Sequence, residues 1–87
     1  MKVFTKTITT PLTISKSDGV FFVSVLVGSN STLTILGNGN GFQGLTPDSV
    51  SLADGQTWSL HSQISEGAID GVTLTPSGTV YLQVGYN

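Results

Sequence analysis

Apolar and hydroxyl-bearing side chains alternate along short runs of this chain, and a glycine turn interrupts them about every ten residues. Val50 and Leu52 alternate with Ser49 and Ser51, Trp58 and Leu60 with Thr57 and Ser59, Val72 and Leu74 with Thr73 and Thr75, and Val80, Leu82 and Val84 with Tyr81 and Gln83. A period of two suits a strand with one buried face and one wet face, and it cannot place an apolar stripe on a helix. Between the runs stand Asp18-Gly19, Asn38-Gly39, Asn40-Gly41, Asp54-Gly55, Asp70-Gly71 and Ser77-Gly78, pairs in which glycine supplies the positive φ of a tight turn.

The pattern predicts strands over residues 3–9, 12–16, 20–28, 31–37, 49–53, 57–64, 72–76 and 79–86. Residues 56–67, QTWSLHSQISEG, are the one stretch with some helical character, but Trp58, Leu60 and Ile64 keep the period of two. Pro11 and Pro47 fall at strand starts and Pro76 in the turn before the last strand, all places where a sheet tolerates proline. LTPDSVSL (45–52) and LTPSGTVYL (74–82) echo one another, as though one turn-to-strand solution served equivalent ends of two packed sheets. The fold class expected is all-β, a small antiparallel β-sandwich of jelly-roll type with about eight short strands; a small β-barrel is the alternative.

At 87 residues this is the length of one domain, and a domain of that size buries roughly 60–65% of the surface its unfolded chain exposes. Such a domain usually relies on disulfides, a structural metal or oligomerisation. With no cysteine, disulfides and thiolate metal sites are excluded, which leaves self-association. Charge is sparse: Lys2, Lys6 and Lys16 are the only basic residues, against Asp18, Asp48, Asp54, Glu66 and Asp70. No basic cluster exists to displace counterions from a phosphate backbone, so nucleic acid is not an expected partner. The polar surface must come from uncharged groups, and serine and threonine alone fill 23 positions. The opening MKVFTKTITTPLT has no apolar core behind Lys2 and does not read as a secretory signal. The longest apolar run, VFFVSVLV (20–27), falls far short of the ~20 residues of a membrane helix and reads as a buried strand, so no membrane insertion is expected.

GNGFQG, residues 39–44, matches the dinucleotide-binding pattern G-x-G-x-x-G. That pattern cradles a pyrophosphate only where a strand enters the glycines and a helix leaves them. Here STLTIL supplies the strand, but Leu45-Thr46-Pro47-Asp48 and an alternating run follow. A calcium β-roll would need aspartate among these glycines, and none is there. The segment reads as a loop between strands. Phe42, an aromatic residue in a polar loop, either folds back on the core or packs against a neighbouring subunit or partner.

His61 is the only histidine, so metal sites and acid–base pairs built on two imidazoles are excluded, and no G-x-S-x-G elbow singles out a serine to work with it. Asp18, Asp54 and Asp70 precede turn glycines, where aspartate has local hydrogen-bonding work; only if those turns met at one end of a sandwich would they form a weak calcium site. Phe21 and Phe22 are adjacent in one strand and should point to opposite faces, one into the core and one toward a second covering surface. Trp58 with Tyr81 or Tyr86 would make a sugar-stacking platform, but Trp58 shares phase with Leu60 and reads as core. The candidate interface residues are Phe21, Phe22, Phe42, Tyr81 and Tyr86. The last strand, ending Tyr86-Asn87, is expected to be an open edge and so a contact element.

The texture of the chain, and in particular SLADGQTWSL (51–60) with GAIDGVTLTPSGTVYLQVGYN (67–87), resembles small bacteriophage virion proteins that decorate a capsid or form a head or tail fibre. The resemblance implies a non-enzymatic structural protein on the external surface of a virion. It would have no cofactor, would associate with itself, a trimer being favoured, and would bind a capsid or tail protein. The rival expectation is a carbohydrate-binding module or adhesin domain.

Overall fold

A computed structural model describes residues 1–39 and 41–87, and Ile64 through its backbone alone. Asn40, half of one expected turn, and the side-chain phase expected of Ile64 lie outside the described residues. Alternation becomes eight strands: β1 (Lys2–Ile8), β2 (Leu12–Ile14), β3 (Val20–Val27), β4 (Thr32–Gly37), β5 (Val50–Leu52), β6 (Thr57–His61), β7 (Val72–Ser77) and β8 (Val80–Tyr86). They form two antiparallel four-stranded sheets, β1-β8-β3-β6 and β2-β7-β4-β5.

The pairing is nested: β1 lies with β8, β2 with β7, β3 with β6 and β4 with β5. The chain is therefore one long hairpin, rolled until β3 also meets β8 and β4 also meets β7. This is the jelly-roll arrangement of a β-sandwich. The glycine-rich segment after β4 is the tip of that hairpin.

Valine and leucine at alternate positions fill the space between the sheets. Val23, Val25 and Val27 on β3 and Val80, Leu82 and Val84 on β8 join Leu33 and Ile35 of β4 and Val72 and Leu74 of β7 in one buried cluster, with Ile14, Val20 and Ile69. Trp58 and Leu60 on β6 pair with Val25 and Val23, face inward and pack against this cluster as their phase predicts. Two strands end earlier than expected because local hydrogen bonds outcompete the ladder. After β2, Ser15 N donates to Asp18 Oδ2 at 2.9 Å over a 3₁₀ turn, Lys16–Asp18, and after β6, Gln63 N donates to Glu66 Oε1 at 3.2 Å over another, Ile64–Glu66.

Four expectations are corrected. Pro76 sits inside β7, opposite Leu33, and not in the turn. β2 reaches only to Leu74, so β7 has a single neighbour at Pro76, an edge position of the kind where a sheet tolerates proline. The two Leu-Thr-Pro motifs are accordingly not equivalent: Leu45–Pro47 lies in the tip loop, and Leu74–Pro76 lies in a strand running to the opposite end. β8 is not an edge, because β1 folds back along it from Lys2 opposite Tyr86 to Ile8 opposite Val80. The true edges are β1 and β6 in one sheet and β2 and β5 in the other. Lastly, Phe21 and Phe22 do not simply alternate. A bulge between Val20 and Phe22 shifts the register against β8, so Val20 and Val23 both face the core.

Antiparallel pairing sorts the loops by length. Residues 9–11, 28–31, 53–56 and 78–79 make short connections at one end, while 15–19, 38–49 and 62–71 lie at the other, beside Lys2 and Tyr86. The long-loop end also carries Lys16, Asp18, Asp48, Glu66 and Asp70, which leaves the sheet faces almost free of charge. Among the described residues no helix is long and apolar enough to cross a membrane.

Candidate functional site

The outer face of the β1-β8-β3-β6 sheet is built in three rows, read directly from the register. Val3, Gly85, Phe22 and His61 form one row, Thr5, Gln83, Ser24 and Ser59 the next, and Thr7, Tyr81, Leu26 and Thr57 the third. None of these residues is Lys, Asp or Glu. The middle and last rows, apart from Ser59, line a shallow trough of about 630 Å³ that spans all four strands and that Lys6 also borders.

The first row is a small apolar shelf. Phe22 and His61 meet edge to face with ring centroids 6.0 Å apart. Gly85 leaves the room for Met1: a Cβ there would sit 2.6 Å from Met1 Sδ and 3.2 Å from Phe22 Cβ. At the far side Tyr81 stands 50% exposed between Leu26 and Thr7. Aromatic rings, methyl groups and neutral hydroxyls thus share one face whose three rows carry no charged side chain, and Lys6 borders it.

The sequence-predicted residues divide among four places. Phe22 and Tyr81 are brought together on this outer face. Phe21 is buried but stands outside the core cluster, where Ser62 N donates to the Phe21 carbonyl at 2.7 Å and Ile69 N to the Val20 carbonyl at 2.7 Å, lashing the loop after β6 to the start of β3. Tyr86 pairs with Lys2 and Val20 and faces inward. It lines a cleft of about 350 Å³ between β1 and β2, with Phe4, Leu12, Ile14, Val20, Leu82 and Val84. The platform of Trp58, Tyr81 and Tyr86 is therefore not formed, since Trp58 and Tyr86 face inward and Tyr81 faces outward.

Phe42 does not fold back on the core. It is 69% exposed, and Leu45, bridged to it, is 66% exposed. Leu45 N donates to the Phe42 carbonyl at 2.9 Å across Gln43 (φ 51°) and Gly44 (φ 74°). Two consecutive positive φ values make a type I′ turn, so GNGFQG contains a miniature hairpin where the fingerprint would require a helix. Bridged residues present their side chains on the same side, and Phe42 and Leu45 form a two-residue apolar knob. Leu45 carried no sequence signal beyond its place in a polar loop; only the turn reveals it as the partner of Phe42.

The turn aspartates separate. Asp54 lies in the short-loop end, and Asp18 and Asp70 in the long-loop end. Asp18 is engaged by Ser15, and Asp70 Oδ1 accepts from Lys16 N at 3.0 Å, so each carboxylate holds a backbone turn. Among the described residues no group of three or more His, Asp or Glu is placed to hold a metal ion.

A scan against protein-family models finds no match, and no curated protein or solved structure matches the chain.

Proposed function

We propose that this chain is a non-enzymatic structural protein of a virus particle, a capsid decoration or a head or tail fibre component that joins a larger shell as a symmetric oligomer, with the trimer favoured. The observation that supports it is the outer face of the β1-β8-β3-β6 sheet, whose three rows hold no Lys, Asp or Glu and on which Met1, Val3, Leu26 and Tyr81 are exposed. These exposed apolar groups stand in the first and third rows on either side of a row of neutral polar residues, and a face with so little charge suits permanent seating on another protein. Jelly rolls serve in viral capsids, an analogy of fold alone.

The direct test is mass spectrometry of purified virions from the genome that encodes the chain. A copy number comparable to that of a shell component is expected, and absence from the particles overturns the reading. Leu26→Glu with Tyr81→Glu should keep the circular dichroism spectrum and lose incorporation.

A second reading is carried by the trough itself. Thr5, Thr7, Ser24, Thr57 and Gln83 place neutral donors and acceptors around the Tyr81 ring, the combination that binds a sugar by stacking and hydrogen bonds. A glycan array on which Tyr81→Ala abolishes binding would promote a carbohydrate-binding domain over the assembly subunit.

A further inference from the structure

An edge strand leaves every second residue with an unpaired N–H and C=O, and natural sheets blunt such edges with lysine, proline, a bulge or shortness. Three of the four edges here are blunted. β2 and β5 have three residues each, and β1 carries Lys2 and Lys6. β6 is not: it is five residues long, holds no Lys, Asp, Glu or Pro, and runs against β3 without a register shift. Its only strand neighbour among the described residues is β3.

The ladder fixes which groups β6 leaves open. Just past its two ends, Val27 N donates to the Gln56 carbonyl at 3.0 Å and Ser62 N to the Phe21 carbonyl at 2.7 Å. Hydrogen-bonded positions alternate along an antiparallel pair, so Trp58 and Leu60, in phase with Gln56 and Ser62, turn their backbone groups to β3. Thr57, Ser59 and His61 turn theirs outward, and all three residues are exposed. Trp58 and Leu60 have the complementary deficit: they pack against the core cluster yet stay only half-buried, because the sheet stops beside them. What completes β6 is therefore a strand that offers backbone groups to Thr57, Ser59 and His61 and apolar side chains to Trp58 and Leu60.

We propose that this strand is β6 of a second copy, paired antiparallel about a two-fold axis through Ser59. In that register Ser59 stands opposite Ser59 and Thr57 opposite His61 as hydrogen-bonded pairs, giving about six backbone hydrogen bonds. Trp58 of each copy stands opposite Leu60 of the other at the non-hydrogen-bonded sites, where Cα atoms are about 4.5 Å apart and side chains meet most closely. Apolar meets apolar and polar meets polar, a match that the sequence of β6 makes with its own reverse. Asp54 and Glu66 lie in loops beyond the two ends of the strand, and Glu66 Oε1 accepts from Gln63 N. β1 is the poorer partner, since Lys2 and Lys6 share the inward phase with Phe4, and any full pairing with β6 sets one of these lysines opposite Trp58 or Leu60. With β6 on β6, two four-stranded sheets become one of eight, and the outer face runs on across the axis from Ser59 to Ser59. The inference rests on the reading of the chain as a self-associating subunit and names the strand through which it does so. A two-fold contact is satisfied within one pair, so a trimer needs a further surface, and the β6 seam then joins two trimers.

The chain has no cysteine, so single cysteines at these exposed positions report the register directly. Ser59→Cys sets two thiols opposite one another at a Cα separation of about 5.5 Å, within disulfide reach, and its oxidation should give a covalent dimer. Thr57→Cys alone should give none, because the two copies of residue 57 are offset by four residues, about 13 Å. Mixed with His61→Cys, it should link. Thr57→Cys joining to itself as readily as Ser59→Cys does overturns the proposal, as does Ser59→Cys that stays monomeric on oxidation. As a second measurement, Ser59→Pro removes an outward N–H and spares the ladder to β3. It should keep the circular dichroism spectrum and halve the mass of the assembly by light scattering; a folded variant with unchanged mass overturns the proposal. Absence from virions with a positive Ser59→Cys cross-link would defeat only the virus reading, whereas presence in virions without the cross-link would defeat only the β6 seam.

Discussion

Ser31 holds the short-loop end together. Among the described residues it is the one buried polar side chain, and its hydroxyl donates to the Ser29 carbonyl at 3.0 Å and accepts from Thr79 N at 2.9 Å. Gly78 packs against it with φ 99°, so an added Cβ would strike the Ser31 side chain. Ser31→Ala should cost about 1–3 kcal/mol, because the partly buried Thr79 N–H loses its acceptor. Gly78→Ala adds a clash to backbone strain and should cost about 2–4 kcal/mol. Gly55→Ala is the control, with φ 77° but nothing within 4 Å of the added carbon, and it should cost only the strain, about 1–2 kcal/mol. Urea unfolding of the three variants checks the order; equal losses at Gly55 and Gly78 would show that the contact with Ser31 carries no weight.

At the scale of elements, the bulge in β3 decides what the adjacent phenylalanines do. Strict alternation assigns one of them to the core, yet the valines on either side, Val20 and Val23, both take core positions. The extra residue in β3 is thereby absorbed outside the cluster, with Phe21 buried beside the loop 62–69 and Phe22 half-covered on the outer face by His61 and Met1. Phe21→Ala should cost about 3–5 kcal/mol, the range for a buried phenylalanine, and Phe22→Ala distinctly less. If denaturant midpoints show Phe22→Ala to be the more damaging, the two side chains have been assigned to the wrong sides. The lysines of β1 have an element-scale role too: a charge on the inward phase of an edge strand discourages another strand from docking there. Lys6, opposite Leu82, occupies that position.

Across the whole molecule, the nested pairing sets the folding problem. β1 must find β8, and β2 must find β7, across nearly the length of the chain, and only β4 and β5 pair as sequence neighbours. Loop closure must be bought before these contacts form, so stopped-flow refolding should fall in the millisecond-to-second range typical of non-local β proteins. Microsecond refolding would contradict the topology. The same nesting places the glycine-rich tip at the far point of the folded hairpin, the one long loop that no strand pairing draws into the sandwich, and so leaves Phe42 and Leu45 in solvent.

Strand positions, the inward phase of Trp58 and Leu60, and the turn role of Gly19, Gly55, Gly71 and Gly78 were all legible in the chain, because period-two alternation and positive φ are local properties of a few neighbouring residues. The grouping of Phe22 with Tyr81 was not, since they lie on different strands and come together only through the pairing of β3 with β8. Nor was the interior place of β8: an unpaired edge and a central strand can carry the same alternation, and only the return of β1 distinguishes them. Pro76 misled for a related reason, as its tolerance depends on where β2 stops. Local chemistry determined which residues extend, which turn and which face inward. Strand order, the bulge and the exposure of the knob were decided by pairings between distant segments, whose register follows from packing two whole sheets around one core.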